Sequence, residues 1–256
     1  MIGKFIKAAA PVAGKQLLRH GAKQGKKRAV AALSMRSLGL VTGLTGIFVH
    51  MRLNKLVKTG FMVKHNLAYF TLQTNIFSTA IFAKLLGKTF RHWRQTGTLT
   101  TAQIHPTVHL SCTSYITMTM LGYWSVLAPL TGLPKNRVLW CDAMLLHTFT
   151  PLLAISDYLL FGQKGKVDKR ALAPWMVYPL LYLASVKVIA RFIKEPYYSF
   201  DMKGKHIDLQ YPYPFLDPQV MGKKGANAVL PVLVLLYALF GRGSIALDSK
   251  LGQKID

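Results

Sequence analysis

Six apolar stretches, each about as long as a membrane-spanning helix, constrain the fold of this chain more than any other feature. A helix needs roughly 20 mostly apolar residues to cross the hydrocarbon core of a bilayer. The sequence therefore predicts an all-α fold, a polytopic membrane helix bundle with six transmembrane helices. The stretches lie near residues 35–52, 65–86, 108–130, 138–162, 172–193 and 226–247.

The boundaries of these stretches divide the chain into an arm, a core domain and a tail. Residues 1–34 hold many basic residues and no acid, and their apolar side chains share one helical face. They predict an amphipathic helix that lies on an anionic membrane surface, followed by a basic hinge at 21–28. The alternative for residues 11–30 is a disordered basic tail. Residues 35–247 form the predicted six-helix transmembrane domain, and residues 248–256 a cytoplasmic tail.

The charge of the chain is strongly positive although its composition is apolar. It carries 33 Lys and Arg against 9 Asp and Glu, a net charge of +24, while 51% of its residues are hydrophobic. The basic residues concentrate beside the apolar stretches, where they anchor spans and attract anionic lipid headgroups. No nucleic-acid-binding signature occurs, so we expect membrane lipids and no nucleic acid as partners. The excess of Lys and Arg on one side predicts that both termini are cytoplasmic.

Polar side chains recur at helical spacing in the second and fourth stretches. Such groups are costly at membrane depth and tend to face the bundle interior or a wet cavity, so they indicate where function lies. The stripe in the second stretch contains Thr71, Thr74, Asn75 and Ser78, and that in the fourth contains His147, Thr150, Pro151, Ala154 and Asp157.

Thr71 and His147 are predicted to meet. The second and fourth spans run in the same direction, with Thr71 roughly 9 Å and His147 roughly 14 Å from the outer ends of their spans. A hydroxyl beside a neutral imidazole is the minimal arrangement for nucleophilic acyl transfer. The alternative is packing, because a Thr in a membrane helix often bonds a carbonyl of its own helix or a neighbouring helix.

Asp157 lies about 15 Å further along the same helix than His147, too far to orient its ring. We therefore expect Asp157 to tie the fourth span to a polar group on a neighbouring span or to a buried water. His105 and His109 are one helical turn apart, but Pro106 lies between them and no further ligand is close in sequence. No metal site and no cofactor are expected.

The segment between the fifth and sixth stretches, about 194–225, is rich in Tyr and Pro. Proline restricts the backbone and removes a donor, so this stretch is predicted to be neither regular helix nor central strand. We expect an interfacial cap over the outer end of the bundle, with Asp217 reaching toward Thr71 and His147. The alternative is a structural loop docked on the bundle. The residues predicted to bind substrate or support the site are Thr74, Asn75, Thr150, Asp157, Tyr211, Tyr213 and Asp217.

Three segments, 69–75, 147–161 and 211–217, resemble the bacterial six-span membrane proteins of the Pr-six-Pr family. More distantly they resemble the androgen-induced integral membrane hydrolases of animals. In those hydrolases a Thr and a His act together on lipid esters of branched hydroxy fatty acids. The resemblance implies the same catalytic roles for Thr71 and His147, a lipid-like substrate, and a place in the bacterial plasma membrane.

Two other classes of function are open. In a six-helix solute-binding or transport subunit, Asn75, His147 and Asp157 would bind the ligand. Gly39 and Gly43 form a small-xxx-small seam that could dock a partner helix, although the same seam serves packing within one bundle equally well. In a non-catalytic membrane scaffold, the polar stripes would only hold helices together.

Overall fold

A computed structural model gives the structure of this chain. It describes the backbone of residues 2–57, 62–63, 65–192, 196–202 and 205–253, and the side chains of residues 23–53, 55–57, 65–192, 196–197 and 208–253. The side chains that form the predicted amphipathic face of the arm lie outside the described residues.

Long helices build almost all of the described chain. They are α1 (Ile2–Leu56), α2 (Phe70–Thr96), α3 (residues 106–131), α4 (Arg137–Phe161), α5 (Leu172–Phe192) and α6 (Pro218–Gly252). Each of the six apolar stretches coincides with one of these helices. By length and composition, four described segments could cross a membrane: Lys23–Leu53, Arg137–Phe161, Lys169–Phe192 and Pro218–Gly252. A helical membrane protein is thus compatible with the fold, and the count of six spans stays a prediction.

The burial pattern of this fold differs from that of a soluble protein in two respects. Large apolar side chains face outward, with Val41 61% and Leu181 64% exposed, while Asn75 and Asp157 are completely buried. Charged and amide side chains are rarely buried in soluble proteins, whereas in membranes they face the bundle interior. The exposed surface of the helices is therefore suited to contact lipid.

Helix boundaries differ from the predictions at two places. α1 continues without a break through residues 21–28, so the predicted hinge is wrong. α2 begins at Phe70 rather than near residue 65, because Asn66–Ala68 form a separate 3₁₀ turn. Thr71 consequently occupies the first turn of its helix instead of lying well inside it.

α1 packs extensively against α4 and also approaches α2 closely. Two glycines permit this approach. A Cβ built on Gly39 would lie 2.6 Å from the Phe82 ring, and one on Gly43 would collide with the Thr79 hydroxyl. The Gly39–Gly43 seam is therefore occupied by α2 of the same chain, which leaves no room there for a partner helix.

We expect Gly43→Ala to destabilise the protein, because the added methyl group overpacks the contact with Thr79. Overpacking costs about 1–3 kcal/mol in well-packed interiors. Gly87 on α2 is the matched control, since nothing lies within 4 Å of a Cβ built there. Thermal unfolding in detergent should show a lower melting temperature for Gly43→Ala and no decrease for Gly87→Ala. Equal melting temperatures would contradict this account of the seam.

The segment between α5 and α6 contains a hairpin that the sequence did not indicate. Strands β2 (Tyr198–Met202) and β3 (Lys205–Leu209) pair antiparallel, and β1 (Met62–Val63) pairs with β2. The prediction that residues 194–225 are neither regular helix nor central strand is wrong at two places, because β2 is the central strand of this sheet and α6 begins at Pro218. It holds for the proline-rich segment, residues 210–217, which contains only a 3₁₀ turn at Pro214–Leu216. The hairpin and this proline-rich segment connect α5 to the start of α6.

Candidate active site

Thr71 and His147 meet, as the sequence predicts. Thr71 Oγ1 lies 3.3 Å from His147 Nε2, and each residue is 7% exposed. Thr71 lies nearer to the start of its helix than predicted, because α2 begins only one residue before it. The hydroxyl thus lies at the positive end of the α2 dipole, where negative charge is stabilised.

The hydrogen bonds of His147 fix its tautomer. Nδ1 lies 3.2 Å from the carbonyl oxygen of Ala143, which can only accept a hydrogen bond. Nδ1 therefore carries the proton of the neutral ring, and Nε2 is left as an acceptor. The Thr71 hydroxyl can donate to this nitrogen, which is the arrangement a general base requires.

Tyr213 completes the surroundings of Thr71. Its hydroxyl oxygen accepts a hydrogen bond from the backbone N–H of Thr71 at 3.1 Å and lies 3.2 Å from Thr71 Oγ1. Burial raises the pKa of the Tyr213 phenol, while the hydrogen bonds with Thr71 act in the opposite direction. The phenol therefore stays protonated at neutral pH and can donate a hydrogen bond to an oxygen beside Thr71.

Two π-helical turns, Tyr123–Leu127 in α3 and Leu145–Phe149 in α4, face each other at this site. The ring of Tyr123 stacks on the ring of His147, with centroids 3.9 Å apart and planes 20° apart. Isolated π turns within α-helices often occur at functional sites. The stack holds the imidazole against α3 and limits its rotation.

Thr71 and His147 line a cavity of about 220 Å³. Its walls come from α1, α2, α3, α4, the loop between α3 and α4, the end of β3 and the proline-rich segment, and about half of the lining residues are apolar. The polar or aromatic lining residues include His50, Tyr69, Thr71, Tyr123, Asp142, His147 and Tyr213, and the apolar ones Leu53, Leu127, Leu133, Leu139, Leu209, Pro212 and Pro214.

His50 and Asp142 also line this cavity, and the sequence analysis missed both. His50 Nδ1 lies 3.2 Å from each carboxylate oxygen of Asp142, and both residues are 8% exposed. The two residues are 92 positions apart and belong to different helices. An acid in the fourth apolar stretch was the available signal, since ionisable residues at membrane depth are functional candidates by default.

The π turn in α4 explains why Asp142 and His147 share the cavity. Residues five apart in a regular α-helix point roughly 140° apart around the axis. A π turn accommodates one extra residue, so these two positions approach the roughly 40° separation of residues four apart. Both side chains consequently face the same space.

The remaining polar residues of α2 support the site from behind. Asn75 Nδ2 donates to the Thr71 carbonyl at 2.8 Å and to the Leu146 carbonyl at 3.0 Å, which links the backbones that carry the pair. Thr74 Oγ1 lies 2.9 Å from the Thr119 hydroxyl of α3. Neither Asn75 nor Thr74 lines the cavity, so both are structural supports. Thr150, a predicted support residue, is fully buried, and its hydroxyl has no hydrogen-bond partner among the described residues.

Asp157 belongs to a separate buried cluster, in agreement with its predicted structural role. Its carboxylate accepts a hydrogen bond from Arg36 Nε of α1 at 2.7 Å and lies 3.2 Å from His109 Nε2 of α3. Arg36, at the start of the first apolar stretch, is completely buried, so it is not one of the basic residues that anchor the end of a span at the membrane surface. His109 does have a carboxylate neighbour, supplied by another helix rather than by its own.

Two predicted site residues of the proline-rich segment lie elsewhere. Asp217 does not reach toward Thr71: its carboxylate caps α6 by accepting from the Gln219 N–H at 2.8 Å, and it also accepts from the Gln210 N–H at 2.6 Å. Tyr211 packs in an apolar cluster with Leu216, 5.7 Å from the Lys187 ammonium, and does not line the cavity. Tyr213 alone among the three touches Thr71.

Within the described residues, no group of three His, Cys, Asp or Glu side chains could hold a metal ion. The chain matches no protein-family model, and neither a curated protein nor a solved structure is similar to it at a significant level. The family resemblance therefore stays a prediction, and the argument for function rests on the geometry around Thr71.

Proposed function

We propose that this chain is a membrane-embedded hydrolase of lipid esters in which Thr71 is the nucleophile and His147 the general base. The observation that carries the proposal is the 3.3 Å contact between Thr71 Oγ1 and His147 Nε2 at the wall of a cavity. A hydroxyl is a weak nucleophile at neutral pH, and it becomes reactive when a base takes its proton during attack.

The surroundings of the pair suit acyl transfer. Thr71 Oγ1 attacks the ester carbonyl while its proton passes to His147 Nε2, and negative charge develops on the carbonyl oxygen. The Tyr213 hydroxyl and the N-terminus of α2 are placed to stabilise that charge. Departure of the alcohol leaves an acyl group on Thr71, which water then removes as the free acid.

The cavity favours an ester with apolar substituents. At about 220 Å³ it is smaller than the roughly 300–1,000 Å³ of pockets that enclose whole drug-sized ligands. It holds the ester group and its adjoining carbons, and longer chains extend from it along the apolar surface of the bundle. The resemblance to the animal hydrolases adds lipid esters of branched hydroxy fatty acids as the substrate class to test first.

The proposal includes a location and an orientation. We place the chain in the bacterial plasma membrane as a six-span protein with both termini in the cytoplasm. The distribution of Lys and Arg supports this orientation, and the described basic residues of the arm, Lys23, Lys26, Lys27 and Arg28, are exposed. Their charge suits contact with anionic lipid headgroups.

The solute-binding alternative has weaker support from the geometry. Of the three residues that would bind a ligand, only His147 lines the cavity, whereas Asn75 is bonded to backbone carbonyls and Asp157 to Arg36. A non-catalytic scaffold would not need the cavity that the polar side chains of several helices line here. Covalent labelling separates these classes from a hydrolase, because only an activated nucleophile forms an adduct.

We expect a fluorophosphonate probe to label the protein covalently at Thr71, because the base-assisted hydroxyl attacks phosphorus as it would attack an ester. Mass spectrometry of the labelled peptide checks the position. Labelling should disappear in Thr71→Ala and persist in Thr89→Ala, a control on the same helix whose hydroxyl only bonds the Leu85 carbonyl. An unlabelled wild-type protein, or an adduct retained in Thr71→Ala, would overturn the proposed nucleophile.

A further inference from the structure

Two imidazoles line the cavity in opposite hydrogen-bonding environments. Nδ1 of His147 faces a neutral backbone carbonyl, whereas Nδ1 of His50 lies 3.2 Å from both oxygens of the Asp142 carboxylate. A carbonyl partner leaves an imidazole neutral, and a carboxylate partner stabilises its protonated form. Within one active site, an imidazole beside a neutral carbonyl and an imidazole beside a carboxylate are suited to opposite roles in proton transfer.

The other ring nitrogen of His50 is a second observation. Nε2 is enclosed and has no hydrogen-bond partner among the described residues. Leaving a buried donor unpaired costs about 1–3 kcal/mol, so such groups usually have a catalytic role or await a ligand or water. The Tyr69 ring, 5.9 Å from the His50 ring between centroids, holds the imidazole in place from the α2 side.

We infer that His50 is the general acid of the site, which donates its Nε2 proton to the departing alkoxide, and that Asp142 is its positioning residue. This inference rests on the proposed hydrolase function and divides proton transfer between two histidines. His147 takes the proton of the nucleophile, and His50 supplies the proton of the leaving group.

The protons balance over the two half-reactions. In acylation the Thr71 Oγ1–carbon bond forms and the ester carbon–oxygen bond breaks, the Thr71 proton goes to His147, and the alkoxide takes the His50 Nε2 proton and leaves as the alcohol. In deacylation water attacks the acyl carbonyl and gives its proton to His50, now neutral. Thr71 Oγ1 departs with the proton held by His147. The acid product forms and both histidines return to their starting states.

A pair of esters with the same acyl chain tests this division. A 4-nitrophenolate leaves without being protonated, whereas an ethoxide requires an acid. Wild type and His50→Gln are assayed with both esters in detergent, and kcat/KM is compared because it reports acylation alone. We expect His50→Gln to lose about 10²-fold or more in kcat/KM on the ethyl ester and far less on the 4-nitrophenyl ester.

The same variant should trap the acyl group. With the 4-nitrophenyl ester, His50→Gln is expected to release one equivalent of nitrophenol in a burst and then turn over slowly, with the acyl group on Thr71 detectable by mass. Asp142→Asn should show the same selective loss on the ethyl ester. Fluorophosphonate labelling of His50→Gln should persist, because fluoride departs without a proton.

The outcomes separate the two proposals. Equal losses of kcat/KM on both esters, with or without loss of labelling, would give His50 a structural role and overturn this inference alone. Absence of Thr71-dependent turnover in wild type would overturn the hydrolase function, and the inference with it. A selective loss on the ethyl ester supports both.

Discussion

Replacing either Thr71 or His147 by alanine is expected to lower kcat/KM for ester hydrolysis by about 10³-fold or more. The nucleophile and its base act as one unit through the 3.3 Å contact, so removal of one makes the other ineffective. The double variant should therefore be no slower than either single variant. Thr71→Ser should retain measurable turnover, because it keeps the hydroxyl in place.

Two control variants show whether the loss of ester hydrolysis is specific to Thr71 and His147. Thr89→Ala removes a buried hydroxyl from the same helix, and His92→Ala removes an imidazole that does not line the cavity. Both should hydrolyse esters like wild type. Melting temperatures in detergent show whether each variant is folded. Ordinary turnover in Thr71→Ala or His147→Ala would reduce the pair to helix packing.

Loss of the Asp157 carboxylate should destabilise the bundle by about 3–5 kcal/mol, the usual cost of leaving a buried charge without its partner. The completely buried Arg36 guanidinium donates to this carboxylate at 2.7 Å. Asp157→Leu leaves that cation unpaired, and Asp157→Asn should cost nearly as much, because an amide supplies shape but no charge. Unfolding in detergent measures both changes.

A double variant distinguishes a broken ion pair from lost packing. Arg36→Met together with Asp157→Leu removes both charges, and we expect it to be more stable than Asp157→Leu alone. Asp168→Asn is the control, since this exposed acid caps a short turn and asparagine caps equally well. Strictly additive losses in the double variant would contradict the ion-pair explanation.

The local sequence was sufficient for the helices and for the central pair. Each apolar stretch is long enough to determine a helix by itself, and the polar stripes identified the faces that turn inward. Thr71 and His147 could be paired from their approximate depth because errors in helix boundaries are small beside the length of a span. The predicted start of α2 near residue 65 was too early, because the 3₁₀ turn before Phe70 has an amino-acid composition like that of an α-helix.

The proton chemistry of the site was decided only by the tertiary structure. The partners of His50 and Arg36 lie 92 and 121 positions away along the chain, and no local pattern encodes such distances. The π turn in α4 adds one residue to a helical turn, so Asp142 and His147 face the same cavity. A period of 3.6 residues per turn would place them on different faces of the helix. Sequence therefore determined which polar residues lie within the apolar stretches, whereas the packing of α1 against α2 and α4 decided which of them touch.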